Sequence, residues 1–329
     1  MRSILLISLF SIYLLSGILT ISDETSSTQC TQYGDPPTPS SGSMLNYNQM
    51  VQVCQHILGQ LLTFTDSNNE ARCACLLITS TSKTLPLVVW LQPSVVYPTP
   101  VYNTNFTVEA FTAKLTDTMS SSSGYHLLIP AARVTKNFEC DAIDCIAWDT
   151  WYRNFNRSDP KMNVDIETID YFINHVVYQT SNLHVDYSRV FLSGWSNGAS
   201  MALLYALNTP NIAAAAVYSS TNPYRNDNDP CPQMPNSSQR TPVLDLVNEC
   251  DSTGICLGGE EFIADLNSCY GKQQTATFIT INGYFDPMPT LTPTCMNCSE
   301  ATGLLNHGRW PVNLNNQIFY AFFRNYTSH

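Results

Sequence analysis

The pentapeptide Gly194-Trp195-Ser196-Asn197-Gly198 constrains the fold of this chain more than any other feature. It directly follows the β-type run Ser188-Arg189-Val190-Phe191-Leu192. It directly precedes the helix-prone run Ala199-Ser200-Met201-Ala202-Leu203-Leu204-Tyr205-Ala206-Leu207. A strand that turns into a helix over so few residues brings the positions two before and two after the apex into collision, and only glycine clears that space. The apex is then a strained serine whose hydroxyl projects from the end of a sheet, which makes Ser196 a candidate nucleophile.

A serine hydroxyl is a weak nucleophile until a base takes its proton and an acid orients that base. After a G-x-S-x-G turn the partners follow in the order Asp or Glu, then His. Of six histidines, only His307 and His329 follow Ser196. His329 is at the chain end, where fraying is expected, so His307, in Asn306-His307-Gly308-Arg309-Trp310-Pro311, is the candidate base. The β-type run Pro242-Val243-Leu244-Asp245-Leu246-Val247 enters the turn Asn248-Glu249-Cys250-Asp251. An orienting acid belongs on the loop after such a strand, which selects Asp251, with Glu249 and Asp245 as weaker candidates.

Residues 1–22 read as a signal peptide, with Arg2 as a minimal charged start and an apolar stretch from Ile4 to Ile21. The rival reading is an uncleaved anchor, since the stretch nears the length of a membrane span. Beyond it the chain turns at once into a polar Ser/Thr/Asp/Glu segment. All twelve cysteines lie past the leader, an even count that fits an oxidising compartment and disulfide-stapled loops. Cys140 with Cys145 and Cys250 with Cys256 are the expected short loops. The Cys295-x-x-Cys298 spacing lacks a second such pair, so no metal is expected. Sequons at Asn105, Asn156, Asn236 and Asn325 also point to secretion, while the one at Asn297 contains Cys298 and is set aside.

Removing the leader takes away Arg2 and leaves 14 basic against 26 acidic residues, a formal charge of −12. That surface excludes nucleic acid as a natural partner and otherwise serves solubility. Roughly 300 residues at 44% hydrophobic composition support one large domain. The division expected is a leader over 1–22, an irregular arm and first elements over 23–70, and a catalytic domain over 71–329.

From residue 72 onward β-type and helix-type runs alternate, as a mostly parallel central sheet flanked by helices requires. Strands are predicted over 72–79, 86–91, 125–130, 189–193, 213–219, 243–247 and 276–281. Helices are predicted over 163–180, where Ile166, Ile169, Phe172, Ile173, Val176 and Val177 recur at helical spacing, and over 315–325. The fold class is therefore α/β.

The stretch from Val185 through Ser196 to Ala199 resembles the elbow of the secreted polyhydroxybutyrate depolymerase and feruloyl esterase family, α/β-hydrolases that also include acetylxylan esterases. The resemblance extends to Leu85-Pro86-Leu87-Val88-Val89-Trp90-Leu91, to Trp148-Asp149-Thr150-Trp151-Tyr152 and to residues 307–311, covering most of 70–325. Two departures stand out. Where the family places His-Gly after the oxyanion strand, this chain has Gln92-Pro93-Ser94, and Pro93 has no N–H to donate. The family's histidine usually lies two residues before Trp-Pro, whereas His307 lies three before Trp310.

The resemblance implies an α/β-hydrolase fold and a secreted serine esterase acting on feruloyl or acetyl esters of polysaccharide, or on polyhydroxyalkanoate-type esters, without metal or cofactor. The oxyanion would be met by the N–H groups of Asn197 and Ser94, and the acyl or sugar group by Trp195, Trp310, Trp148 and Trp151. The alternative is a non-catalytic secreted binding protein on a hydrolase scaffold, and the Gln92-Pro93 loop is the feature that favours it. A serine peptidase on the same fold is a third reading.

Overall fold

The computed structural model describes residues 38–39, 43–80, 82–96, 124–136, 144–180, 183–224, 241–252, 254–270, 276–283, 288–290, 294–309 and 312–328. Its strands are β1 (Thr38–Pro39), β2 (Gln60–Thr65), β3 (Ala71–Leu77), β4 (Leu85–Leu91), β5 (Val95–Val96), β6 (His126–Pro130), β7 (Arg133–Lys136), β8 (Asp144–Ala147), β9 (Val185–Trp195), β10 (Ala214–Tyr218), β11 (Val243–Asn248), β12 (Ala276–Asn282) and β13 (Met288–Pro289). The α-helices are α1 (Ser43–His56), α2 (Val164–Asn174), α3 (Asn197–Leu207), α4 (Ile255–Tyr270), α5 (Glu300–His307) and α6 (Val312–Phe323).

Nine strands form one sheet in the order β13-β12-β11-β10-β9-β4-β6-β3-β2. The central run from β12 to β6 is parallel throughout, and β13, β3 and β2 are antiparallel at the edges. Central strands covered on both faces must be apolar on both faces, and β4, β6, β10 and β11 are buried along almost their whole length. All seven predicted strands are present, with ends shifted by up to a few residues. The largest shift is in β9, which is eleven residues long and runs without interruption into the elbow.

Every residue of α3 is buried. A helix with no solvent face is covered on all sides, so Ser196, at its start, is mounted on one of the most densely packed pieces of the molecule. The predicted 163–180 helix is α2 followed by a π-turn over His175–Gln179. Asn163 caps α2 by accepting from the Asp165 and Ile166 amides, and Asp165 and Glu167 lie in its first turn. Within the segment read as an arm, β2 is an edge strand of the main sheet and α1 is fastened to it by the Cys54–Cys75 disulfide.

Neither short-loop expectation accounts for the acid turn. Cys250 pairs with Cys298 and Cys256 with Cys295, so the Cys250–Cys256 expectation is corrected. The first bond joins the turn after β11, and the second the first turn of α4, to the segment that leads into α5. Cys295 and Cys298, the spacing considered for zinc, are both consumed in this way. Cys145 is disulfide-bonded, but Cys140 lies outside the described residues, as do the predicted leader and the first cysteine of the chain, Cys30.

Beneath the Trp148 segment lies a buried ionic cluster. The Arg72 guanidinium reaches Asp165 at 2.6 Å and Asp66 at 3.3 Å, and Arg133 lies 3.4 Å from Asp165. Burial works against the charge on Asp165, but Arg133 and Arg72 outweigh it and hold its carboxyl below the ordinary carboxylate range. Its other oxygen accepts from the Asp149 amide, fixing the backbone next to Trp148.

Candidate active site

Ser196 sits between β9 and α3 at φ 55°, ψ −125°, a left-handed conformation that a side-chain-bearing residue adopts only when its surroundings hold it there. The glycines explain how it is held. A Cβ on Gly194 would lie 2.3 Å from the Gly198 carbonyl oxygen, and one on Gly198 would lie 2.2 Å from that of Gln92. The elbow and the end of β4 are therefore in backbone contact. The Ser196 amide donates to Tyr218 O at 3.0 Å, tying the turn to β10 as well.

The three side chains selected from the sequence form one chain of hydrogen bonds. Ser196 Oγ lies 2.8 Å from His307 Nε2, and His307 Nδ1 lies 2.8 Å from Asp251 Oδ1. In this arrangement the imidazole proton sits on Nδ1, facing the carboxylate, and Nε2 is left to accept from the serine. The Asp251 side chain is fully buried, whereas that of His307 keeps 18% exposure. Asp251 Oδ1 also accepts from the Ser252 amide at 2.6 Å, and Oδ2 accepts from Ser219 Oγ at 2.6 Å. Of the weaker candidates, Asp245 is sealed within β11 and Glu249 is half-buried on the same turn; His307 bonds to neither.

The segment that carries His307 is held from several sides. Trp195 Nε1 donates to His307 O at 3.0 Å, Tyr218 Oη donates to Asn306 O at 3.3 Å, and Asn306 Nδ2 donates to Cys250 O at 3.0 Å. Gly303 lets α5 settle onto the acid turn, since a Cβ there would lie 2.7 Å from Asp251 O.

Two of the four tryptophans expected to line a cleft are structural instead. Trp195 is 2% exposed and braces the His307 carbonyl, and Trp148 has no exposure and donates from Nε1 to Gln92 O at 3.0 Å. The sequence resemblance marked these positions, but the large aromatic surface was more favourably removed from water than left on a wall. Trp151 is half-buried, and Trp310 lies outside the described residues.

Asn197 has a role the sequence reading missed. Its side chain accepts from Trp148 N at 2.7 Å and donates to Trp148 O at 3.2 Å. Together with the Trp148–Gln92 bond, this joins the elbow, the Trp148 segment and the end of β4. Gln92 and Pro93 are buried and Ser94 is half-buried beside them.

No family model and no curated protein sequence matches the chain. Solved structures do. The chain superposes on the structure of a thermostable esterase with a TM-score of 0.54 over 82% of its length, at 14% identity. The fold is that of the α/β-hydrolases. The chain spans 63% of that esterase. It also aligns, at a TM-score of 0.48 and 11% identity, with 41% of an acylaminoacyl peptidase from Pyrococcus horikoshii. A Klebsiella pneumoniae structure assigned as a dienelactone hydrolase gives a TM-score of 0.44 at 16% identity, over 81% of this chain and 100% of that one. In open α/β sheets ligands bind beyond the carboxyl ends of the parallel strands, the end at which Ser196 follows β9 and Asp251 follows β11.

Proposed function

We propose that the protein is a secreted serine esterase working through Ser196, His307 and Asp251. The observation that carries the reading is the unbroken hydrogen-bond chain from Ser196 Oγ through His307 to Asp251, anchored at a serine in a left-handed turn. In this reading Ser196 attacks the ester carbonyl as His307 Nε2 takes its proton. Asp251 holds the imidazole in the required tautomer and balances the imidazolium. His307 then returns the proton to the departing alcohol, and water, activated in the same way, releases the acid from the acyl-enzyme.

The oxyanion falls to the amide of Asn197, at the positive end of α3, and to that of Ser94, since Pro93 has no N–H. The contact of Gly198 with the Leu91–Gln92 backbone supports this pairing, because it places the β4 loop against the elbow. Removing one such donor in serine hydrolases costs about 2.7–4 kcal/mol of transition-state stabilisation, so the geometry of residues 92–94 sets the speed of the enzyme. No step calls for a metal or cofactor.

Trp151 and Trp310 remain the aromatic groups assigned to a planar acyl group or sugar face, and the substrate class proposed is feruloyl or acetyl esters of polysaccharide, or polyhydroxyalkanoate-type esters. Disulfides across the acid turn suit an oxidising compartment, and among the described residues no helix is long and apolar enough to cross a membrane. Asn156 is offered as a glycan acceptor in a turn where its Oδ1 accepts from Ser158 N, and Asn325 is exposed. Asn105 and Asn236 lie outside the described residues.

The test is hydrolysis of methyl ferulate, acetylated xylo-oligosaccharide and 3-hydroxybutyrate oligomers by the wild type and Ser196→Ala. Turnover that vanishes in the variant is expected, and the preferred substrate names the class. Absence of Ser196-dependent turnover on the whole panel would return the chain to the binding-protein reading.

A further inference from the structure

The corner at the end of β10 touches two members of the hydrogen-bond chain, Ser196 and Asp251, and the residue that precedes the third. Tyr218 O accepts from the Ser196 amide, Tyr218 Oη donates to the carbonyl preceding His307, and Ser219 Oγ donates to Asp251 Oδ2. Ser219 has no exposed surface and sits at φ 57°, again in the left-handed region, where a serine is unfavourable and a glycine would be at ease. Its amide donates to Leu246 O at 2.9 Å, so the twist is fixed from β11. The result of this conformation is that the hydroxyl points at the carboxylate oxygen not used by the histidine.

We propose that Ser219 is a positioning residue, a fourth member of the relay that sets the orientation and charge of Asp251 and through it the basicity of His307. The proposal rests on the esterase reading of Ser196, His307 and Asp251 for its effect on rate, though not for its effect on His307. His307 and Ser252 both bond to Asp251 Oδ1, and Ser219 is the donor that restrains Oδ2. A carboxylate held at both oxygens cannot rotate away from the imidazole. One that shares its charge with an additional donor also attracts the imidazolium less strongly. The other titratable groups facing this carboxylate are Tyr218 from β10 and Asp245 from β11, with Arg309 beyond α5 acting on Tyr218.

Ser219→Ala and Ser219→Gly both remove the hydroxyl, but alanine keeps the backbone strain while glycine relieves it. Both variants are expected to lose about tenfold or more in kcat with KM little changed, the usual cost of a hydrogen bond to a charged group. Both are also expected to titrate His307 at higher pH than the wild type, read from the imidazole NMR signals assigned with His307→Gln, and to move the acid limb of kcat/KM the same way. Their thermal stabilities should differ, with glycine above alanine. Impairment in the alanine variant alone would mean that Ser219 acts through its backbone and packing, which overturns the proposal. An unchanged His307 titration in both variants overturns it too. If the wild type shows no Ser196-dependent turnover, the esterase reading fails by itself, and the His307 titration still decides the role of Ser219.

Discussion

At the scale of single residues, two buried aspartates near the relay are told apart by their partners. Asp251 is fixed by His307, Ser252 and Ser219, whereas Asp245 is enclosed in β11. Burial pushes the Asp245 carboxyl well above the ordinary carboxylate range, against an opposing pull from the Ser220 amide, and the charge on Asp251 adds to the rise. Asp251→Asn is expected to lower kcat by about four orders of magnitude with the melting temperature nearly unchanged, because the amide selects the wrong imidazole tautomer. Asp245→Asn should instead keep turnover within a few-fold and raise the melting temperature at pH 7. That gain should shrink toward pH 4, where the wild-type carboxyl is neutral in the unfolded chain as well. A collapse of activity in Asp245→Asn would transfer the acid role to it. The relay residues could be picked from the sequence because the strained turn, the order of partners and the scarcity of histidines each reduce the choices. Ser219 could not, since nothing around a serine at the end of a strand announces a positive φ or a partner 32 residues away.

At the scale of elements, the long apolar strands were legible because burial on both faces leaves continuous apolar runs in the sequence. The four-stranded sheet β1-β7-β8-β5 was not, since strands of two to four residues are too short to show a period. Helix α5 has a start signal that passed unread: Ser299 caps it by accepting from the Thr302 amide, with Glu300 in its first turn. The Cys250–Cys256 expectation failed because closeness in sequence says nothing of where the chain returns. Cys250 and Cys256 instead both meet the segment that precedes α5. That arrangement couples the acid turn to the base-bearing helix. Replacing Cys250 and Cys298 together by serine should cost about 4 kcal/mol of stability, as a cross-link closing a loop of 48 residues does in the chain-entropy view. It should also lower kcat more than it changes KM. Measured by denaturant titration and steady-state kinetics, a stability loss with untouched kcat would show that the bond holds the loop but not the relay.

For the molecule as a whole, the buried Asp149, beside the ionic cluster under the Trp148 segment, gives stability a pH slope whose sign follows from its raised pKa. Asp149 is 3% exposed, and burial lifts its carboxyl to about 7, against the hydrogen bond from Asn154 Nδ2. The folded protein therefore keeps this proton while the unfolded chain releases it near pH 4. The contribution is intact below that pH and is lost progressively as the pH rises to about 7, by roughly 4 kcal/mol at most. Asp149→Asn should flatten this slope, so that the variant gains on the wild type from pH 4.5 to pH 8 in chemical denaturation. Parallel curves would mean that Asp149 is ionised in the fold. The order of the chain has a temporal side as well. Helix α5 follows every described strand of the main sheet, and Phe323, stacked on Phe191 at 4.6 Å, follows α5 in turn. In the order of synthesis Ser196 and Asp251 therefore precede His307, so the hydrogen bonds that join the three can close only once the ribosome has passed residue 307.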